Sequence, residues 1–222
     1  MNTQSHVISC PHCGTLKMVA CPTSSWLDTD HVLWSDGYLE CDQWQGPAYT
    51  QQCPSCGKFY TLPPRYSCEI KNCQCEDSGL LSYQKLKRAI NELAGDEISE
   101  ARARLEAWWA FNVMNRKSEN IPTEEIDFNH SNMLWLLEYH TEHSTRFSHL
   151  VFELNRLLGN KSECERMIKD LTFEKYVYQR QQRFSEKSCI SNLNEDNLKG
   201  LYERIITDLT SSLLRPLVPY KK

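Results

Sequence analysis

One short segment occurs twice in this chain: Cys10-Pro11-His12-Cys13-Gly14 returns 43 residues later as Cys53-Pro54-Ser55-Cys56-Gly57. Two cysteines separated by two residues can turn both thiolates toward one ion, and the glycine that follows gives the tight turn its permissive backbone. Two such knuckles complete a tetrahedral set of four sulfurs, so Cys10, Cys13, Cys53 and Cys56 are the expected metal ligands. Zinc is the expected ion, because it suits four thiolates and brings no redox chemistry of its own. With four protein ligands the site is closed, so the ion would contribute folding energy and activate no water. The 39 residues between Cys13 and Cys53 exceed the roughly 15 to 20 of a compact site. A structured insertion is therefore expected between the knuckles.

Nine of the eleven cysteines precede residue 76, and only Cys164 and Cys189 follow. This divides the chain into an expected zinc-ribbon domain, 1–76, and a helical domain, 77–222. Met1 to Ser9 show no basic stretch followed by an apolar core, and no apolar run approaches the ~18 residues of a membrane span. A reducing cytoplasm is the expected compartment, where dense cysteine reads as metal ligation and not as a disulfide framework. Cys21, Cys41, Cys68, Cys73 and Cys75 remain unassigned by the knuckles. One structural ion is expected; a second is conceivable, although the four-residue and one-residue gaps among the last three fit no common knuckle.

A redox reading competes, because Cys-Pro-His-Cys is also the active-site tetrapeptide of some thioredoxin-like oxidoreductases, where the first cysteine opens a helix. Here both knuckles run into stretches that read as strands, Thr15 to Val19 and Lys58 to Leu62. Duplication and the trailing glycine favour metal, and His12 reads as an exposed filler. Between the knuckles, His31 to Leu39 carries an apolar run and an Asp36-Gly37 turn, the pattern of a β-hairpin. Trp26, Trp34 and Trp44 are expected to staple a small ribbon short of other apolar material.

From Leu80 the periodicity becomes helical. Tyr83, Leu86, Ile90 and Leu93 make one apolar face, and Gly95 stops that helix. The next helix starts at an Asp96 cap and aligns Ile98, Ala101, Leu105, Trp108, Trp109 and Asn112, with Arg102, Arg104 and Arg116 available to solvent or a partner. Pro122 breaks the run, a third helix is expected over 129–140, and a fourth over 145–158 ending at Gly159. Cys164, Met167, Ile168 and Leu171 form the face of a fifth helix, which makes Cys164 a core thiol. Leu198, Leu201, Ile205, Leu209 and Leu213 line a final one. The fold class expected is α+β: a small β-rich zinc ribbon, then an all-α antiparallel array. Leu154 to Cys164 has the shape of a tetratricopeptide-type helix turn, without a strict 34-residue repeat elsewhere.

These features together resemble a group of uncharacterised bacterial proteins that join two zinc-ribbon knuckles to a tetratricopeptide-like helical half. The resemblance covers about Cys10 to Leu171 and rests on the four knuckle cysteines, Trp34-Ser35-Asp36-Gly37, Trp108-Trp109 with Asn112 and Arg116, and the Leu154 to Cys164 turn. It implies the architecture and no particular activity.

Charge narrows the function classes. Residues 1–78 carry four basic and eight acidic side chains, and an acidic head works against binding phosphate backbones. The chain lacks a Gly-x-Ser-x-Gly elbow, a phosphate-cradling Gly-Lys-Ser/Thr loop and a His-Glu-x-x-His helix. His140, His143 and His149 cluster in sequence, and exposed histidines near a helix junction are the plainer reading against a metal or proton site with Glu138 or Glu142. The expectation is a non-catalytic adaptor or scaffold that binds a protein partner through its helices. A nucleic-acid-binding regulator is the alternative, and a cysteine redox switch a third reading.

Overall fold

A computed structural model describes residues 3–22, 31–33, 39–41, 49–62, 81–117, 120–143, 148–172 and 195–214. Among them are three antiparallel strand pairs and six helices, an α+β fold. The first pair joins β1 (Thr3–Ser9) to β2 (Leu16–Pro22) and the second β3 (His31–Leu33) to β4 (Leu39–Cys41); the third joins β5 (Thr50–Gln52) to β6 (Phe59–Thr61). The helices are α1 (Tyr83–Leu93), α2 (Glu97–Arg116), α3 (Thr123–His143), α4 (His149–Leu157), α5 (Lys161–Asp170) and α6 (Glu195–Leu214). The chain divides into two compact units, Met1–Leu136 and Leu137–Lys222. The break expected after residue 76 falls outside the described residues, and the unit that holds both knuckles also takes in α1 and α2.

Both knuckles lead into strands, as their apolar continuations predict. The strands expected between the knuckles form at β3 and β4, while their connecting turn and the three tryptophans lie outside the described residues. The duplication extends to the pairing register. Val7 faces Met18, Ile8 faces Lys17 and Ser9 faces Leu16; adding 43 to each number gives the Thr50–Thr61, Gln51–Tyr60 and Gln52–Phe59 pairs of the second hairpin.

In the first unit, α1 starts and stops where its periodicity predicts, with Tyr83, Leu86, Ala89 and Ile90 buried and Gly95 at φ +106° beyond its end. Asp96 then caps α2, accepting from the Ser99 N–H and the Ser99 hydroxyl. The buried side of α2 differs from the expected stripe. Ile98 stays 59% exposed, whereas Ser99, Ala103, Glu106, Ala107, Ala110 and Phe111 are buried together with Ala101 and Trp108. The helix is covered on more than one side: α1 meets it through the Tyr83–Phe111 rings, and the β5–β6 hairpin packs elsewhere along it. A helix wrapped in this way has no single apolar stripe to read. Arg102 and Arg104, expected to face solvent or a partner, are engaged within the unit. Arg102 donates to the Leu62 carbonyl at 2.7 Å, and Arg104 pairs with Glu100 at 2.8 Å and lies over the Trp135 ring.

Pro122 separates α2 from α3, as expected, and also opens α3. Its carbonyl accepts from the Glu125 and Ile126 N–H groups, so the helix starts at Thr123, earlier than periodicity alone indicates. Glu125 then turns back to α1, where Lys87 and Gln84 each donate at 2.7 Å.

In the second unit, Ser148 caps α4 and Gly159, at φ +80°, closes it. The α4–α5 turn is held by Asn155, whose side chain donates to the Val151 carbonyl and accepts from Asn160. Phe152, Cys164, Leu171 and Leu209 form the core, with Met167, Ile168 and Ile205 packed against it. The faces expected for α5 and α6 thus meet at these positions. Cys164 is a core thiol, pushed up to about 11 by burial.

Glu106 is the most deeply buried acid among the described residues of the first unit. It is fully buried, and the Tyr49 and Thr50 N–H groups donate to its carboxyl group. Burial pushes its pKa up to about 8, although the bonds from Thr50 and Tyr49 and the nearby Arg102 charge pull the other way. A folded-state pKa raised above the unfolded one stabilises fully below the unfolded value of 4.5, and that contribution declines as pH rises toward about 8. Thermal melts of wild type and Glu106→Gln at pH 6, 7, 8 and 9 should show wild type losing stability relative to the variant as pH rises. Glu106→Ala, which strands the buried Thr50 N–H and the part-buried Tyr49 N–H, should cost about 1 to 3 kcal/mol for the first and less for the second in a denaturant titration.

Candidate metal centre

Each knuckle is built by the same two backbone hydrogen bonds. The first cysteine donates its N–H to the carbonyl five residues on, Cys10 to Thr15 and Cys53 to Lys58, and its own carbonyl accepts from the glycine, Gly14 or Gly57. All four bonds are 2.9 Å long. The glycines sit at φ +74° and +73°, in the left-handed region where a Cβ is strained, with no atom near enough to clash. Glycine is thus required by the backbone angle and not by space.

This geometry brings the four predicted ligands together. Their sulfurs all lie within 4.8 Å of one another, with Cys10 to Cys56 at 3.8 Å and Cys13 to Cys53 at 3.5 Å. A tetrahedral ion with metal–sulfur bonds of about 2.3 Å has sulfur–sulfur edges of about 3.8 Å. The four cysteines can therefore hold a metal ion. Cys10 and Cys53, the first of each knuckle, are buried against Tyr60, Leu62 and Ile8, while Cys13 and Cys56 are exposed.

The four thiols do not share one electrostatic setting. Hydrogen bonds from the Thr15 hydroxyl and backbone pull the Cys13 thiol down to about 6. The Lys58 backbone acts in the same sense on Cys56, but burial and the neighbouring thiols outweigh it and push Cys56 up to about 12. Four thiolates in contact repel one another, and a divalent cation removes that penalty.

The knuckles are also tied to each other. His12 donates from Nε2 to the Phe59 carbonyl at 3.2 Å, and Lys17 Nζ donates to Gln51 at 3.1 Å. His12 is exposed, as the sequence reading has it, but it links the two hairpins and is no mere filler.

The four cysteines are the one group of three or more metal-binding side chains among the described residues. Cys21 lies in β2 opposite Gln4 and Cys41 in β4 opposite His31, while Cys68, Cys73 and Cys75 lie outside the described residues. His140 and His143 are absorbed locally. The His143 ring stacks on Tyr139 at 4.3 Å and bonds its carbonyl, and the half-buried His140 meets the same ring edge-on. Burial, with the nearby His143, lowers the His140 pKa. His149 is exposed at the first turn of α4.

Ser99, Arg102 and Glu106 fasten the second knuckle hairpin to α2; sequence reading missed Ser99 and Glu106 and assigned Arg102 to solvent or a partner. The available signal was Glu106 itself, an acid set between Leu105 and the apolar run Ala107 to Phe111.

No protein family, characterised protein or solved structure matches the chain. The four-sulfur geometry therefore stands on its own chemistry.

Because the strain at the turn is conformational, Gly57→Ala should destabilise the first unit by about 1 to 2 kcal/mol in a chemical denaturation, and Gly57→Asn by less.

Proposed function

We propose that the centre binds one structural zinc ion and that the chain is a non-catalytic adaptor or regulatory scaffold, engaging a protein partner through its helices. The observation that carries this reading is the set of four sulfurs within 4.8 Å of one another. Four thiolates saturate a tetrahedral ion, leaving no position for water or substrate, so the ion acts through folding. Zinc is favoured over iron because it suits four thiolates in a closed tetrahedral site and brings no redox chemistry of its own.

The helical part supports the adaptor side of the proposal. The α4–α5 pair turns at Gly159 through a short polar segment and buries a shared apolar face, the local pattern of tetratricopeptide-like repeats. Such arrays bind peptides and helices on their surfaces. No helix among the described residues is long and apolar enough to cross a membrane, and a cytoplasmic location fits the reduced cysteines this reading needs.

Elemental analysis of protein purified under reducing conditions should find one zinc per chain. Two would mean that the remaining cysteines form a second site, and a coloured protein with iron would replace zinc as the ion. Metal-free, fully active dithiol would favour the redox switch. For the partner, full-length tagged chain recovered from its host after nuclease treatment should retain a discrete protein that binds the purified chain saturably. Nucleic acid recovered from an untreated sample and removed by the nuclease, with no such protein, would favour the regulator reading.

A further inference from the structure

The metal centre and α2 meet at three successive contacts. Ser99, Arg102 and Glu106 occupy positions three and then four residues apart, one stripe along the helix. The Ser99 hydroxyl pairs with the Thr61 hydroxyl at 2.6 Å, Arg102 donates to the Leu62 carbonyl at 2.7 Å, and Glu106 accepts from the Tyr49 and Thr50 N–H groups. All of these strand groups belong to the open end of the second knuckle hairpin. Leu62 donates its own N–H to the Tyr49 carbonyl at 2.7 Å, closing that end, and packs in one cluster with Cys10, Cys53 and Tyr60.

We propose that metal binding and the docking of α2 are thermodynamically coupled through this stripe, with Glu106 as the positioning residue that transmits the coupling. The inference rests on the metal reading above. Its logic is a chain of dependence. The ion fixes Cys53 and Cys56, and thereby the knuckle turn. The turn sets the register of β5 and β6, each only three residues long and unable to hold that register alone. The register presents the Tyr49 and Thr50 N–H groups side by side, and those two donors are what permit a carboxyl group to be buried in α2. Without the ion the donors disperse, Glu106 must regain water, and α2 leaves the hairpin. Reciprocity follows from linkage: weakening the Glu106 contact must weaken metal affinity, although Glu106 is no ligand.

The test is zinc affinity of the full chain, measured by competition with a chromogenic chelator and repeated with cobalt, whose thiolate charge-transfer band reports the ligand set directly. Glu106→Ala should bind zinc roughly 5- to 150-fold more weakly, the ordinary size of such coupling. Glu106→Gln keeps an oxygen for both N–H groups and should restore wild-type affinity, and the cobalt spectrum should be the same four-sulfur spectrum in all three. Equal affinity in Glu106→Ala and wild type overturns the coupling while leaving the metal site standing. A wild-type chain that takes up neither ion overturns the metal reading and the coupling with it. If Glu106→Ala does not fold, hydrogen exchange on wild type decides: zinc removal should strip protection from the amides of α2, and unchanged protection there overturns the proposal.

Discussion

Two strands of three residues cannot persist alone in water, and β5 and β6 persist because their ends are held from outside. At one end the knuckle turn locks Cys53 to Lys58; at the other, α2 offers a hydroxyl, a guanidinium and a carboxyl group to strand atoms that would otherwise face an apolar helix unpaired. Glu106 is the costliest of these. A carboxyl group with no solvent exposure is tolerable only where several donors converge on it, and the outward-facing N–H groups of a strand edge are such donors. The contact thus answers two demands together, an unpaired strand edge and a buried acid, and each is satisfied by the other.

The duplicated hairpins show what this docking changes. They share register, turn geometry and ligand spacing, so local sequence has built the same object twice. Their surroundings differ. Phe59, two residues beyond the second knuckle's glycine, is 2% exposed and lies beneath Arg88 of α1, while its counterpart Leu16 is 58% exposed. The first hairpin compensates with length: β1 and β2 run seven residues each, giving it four more ladder pairs than the second has. One copy is stabilised by its own pairing and the other by tertiary contact, which explains how the same motif tolerates two environments.

What could be read in the sequence follows from how local each determinant is. A metal knuckle requires fixed residue types at fixed spacing, so Cys10, Cys13, Cys53 and Cys56 were legible, as were the strands after them. Helices α1 and α5 were legible because each carries one apolar face, and α1 and α4 also because a glycine, Gly95 or Gly159, marks where they stop. Helix α2 was misread on its buried side because it is covered from two directions, which erases the period that marks a face; small alanines at 101, 103, 107 and 110 allow that close approach without leaving an apolar stripe. The break at Pro122 was legible, but not that α3 starts directly after it, since a proline lacks only the N–H that the start of a helix does not need. Glu106 was invisible for a different reason. An isolated glutamate on a helix is solvated in most settings, and only the strand lying on it reveals otherwise.

The metal centre is divided between core and solvent. In each knuckle the first cysteine is buried and the second exposed, and the N–H and carbonyl of the first, which burial would leave unsatisfied, are paired by the bonds that close the turn. The buried sulfurs of Cys10 and Cys53 sit in the same cluster as Tyr60 and Leu62, so whatever holds these two sulfurs in place also holds the inner face of the hairpins. The exposed sulfurs of Cys13 and Cys56 are where water, competing thiols and chelators can arrive. An ion in such a site would be exchanged from one side and felt from the other: loss would begin at the exposed edge, while its structural cost would fall on the apolar cluster that holds Leu62, whose carbonyl is bound by Arg102 of α2. For a small strand-paired region with little core of its own, an ion bound there would carry its binding energy to residues far from its ligands in sequence, without any of them needing to touch it.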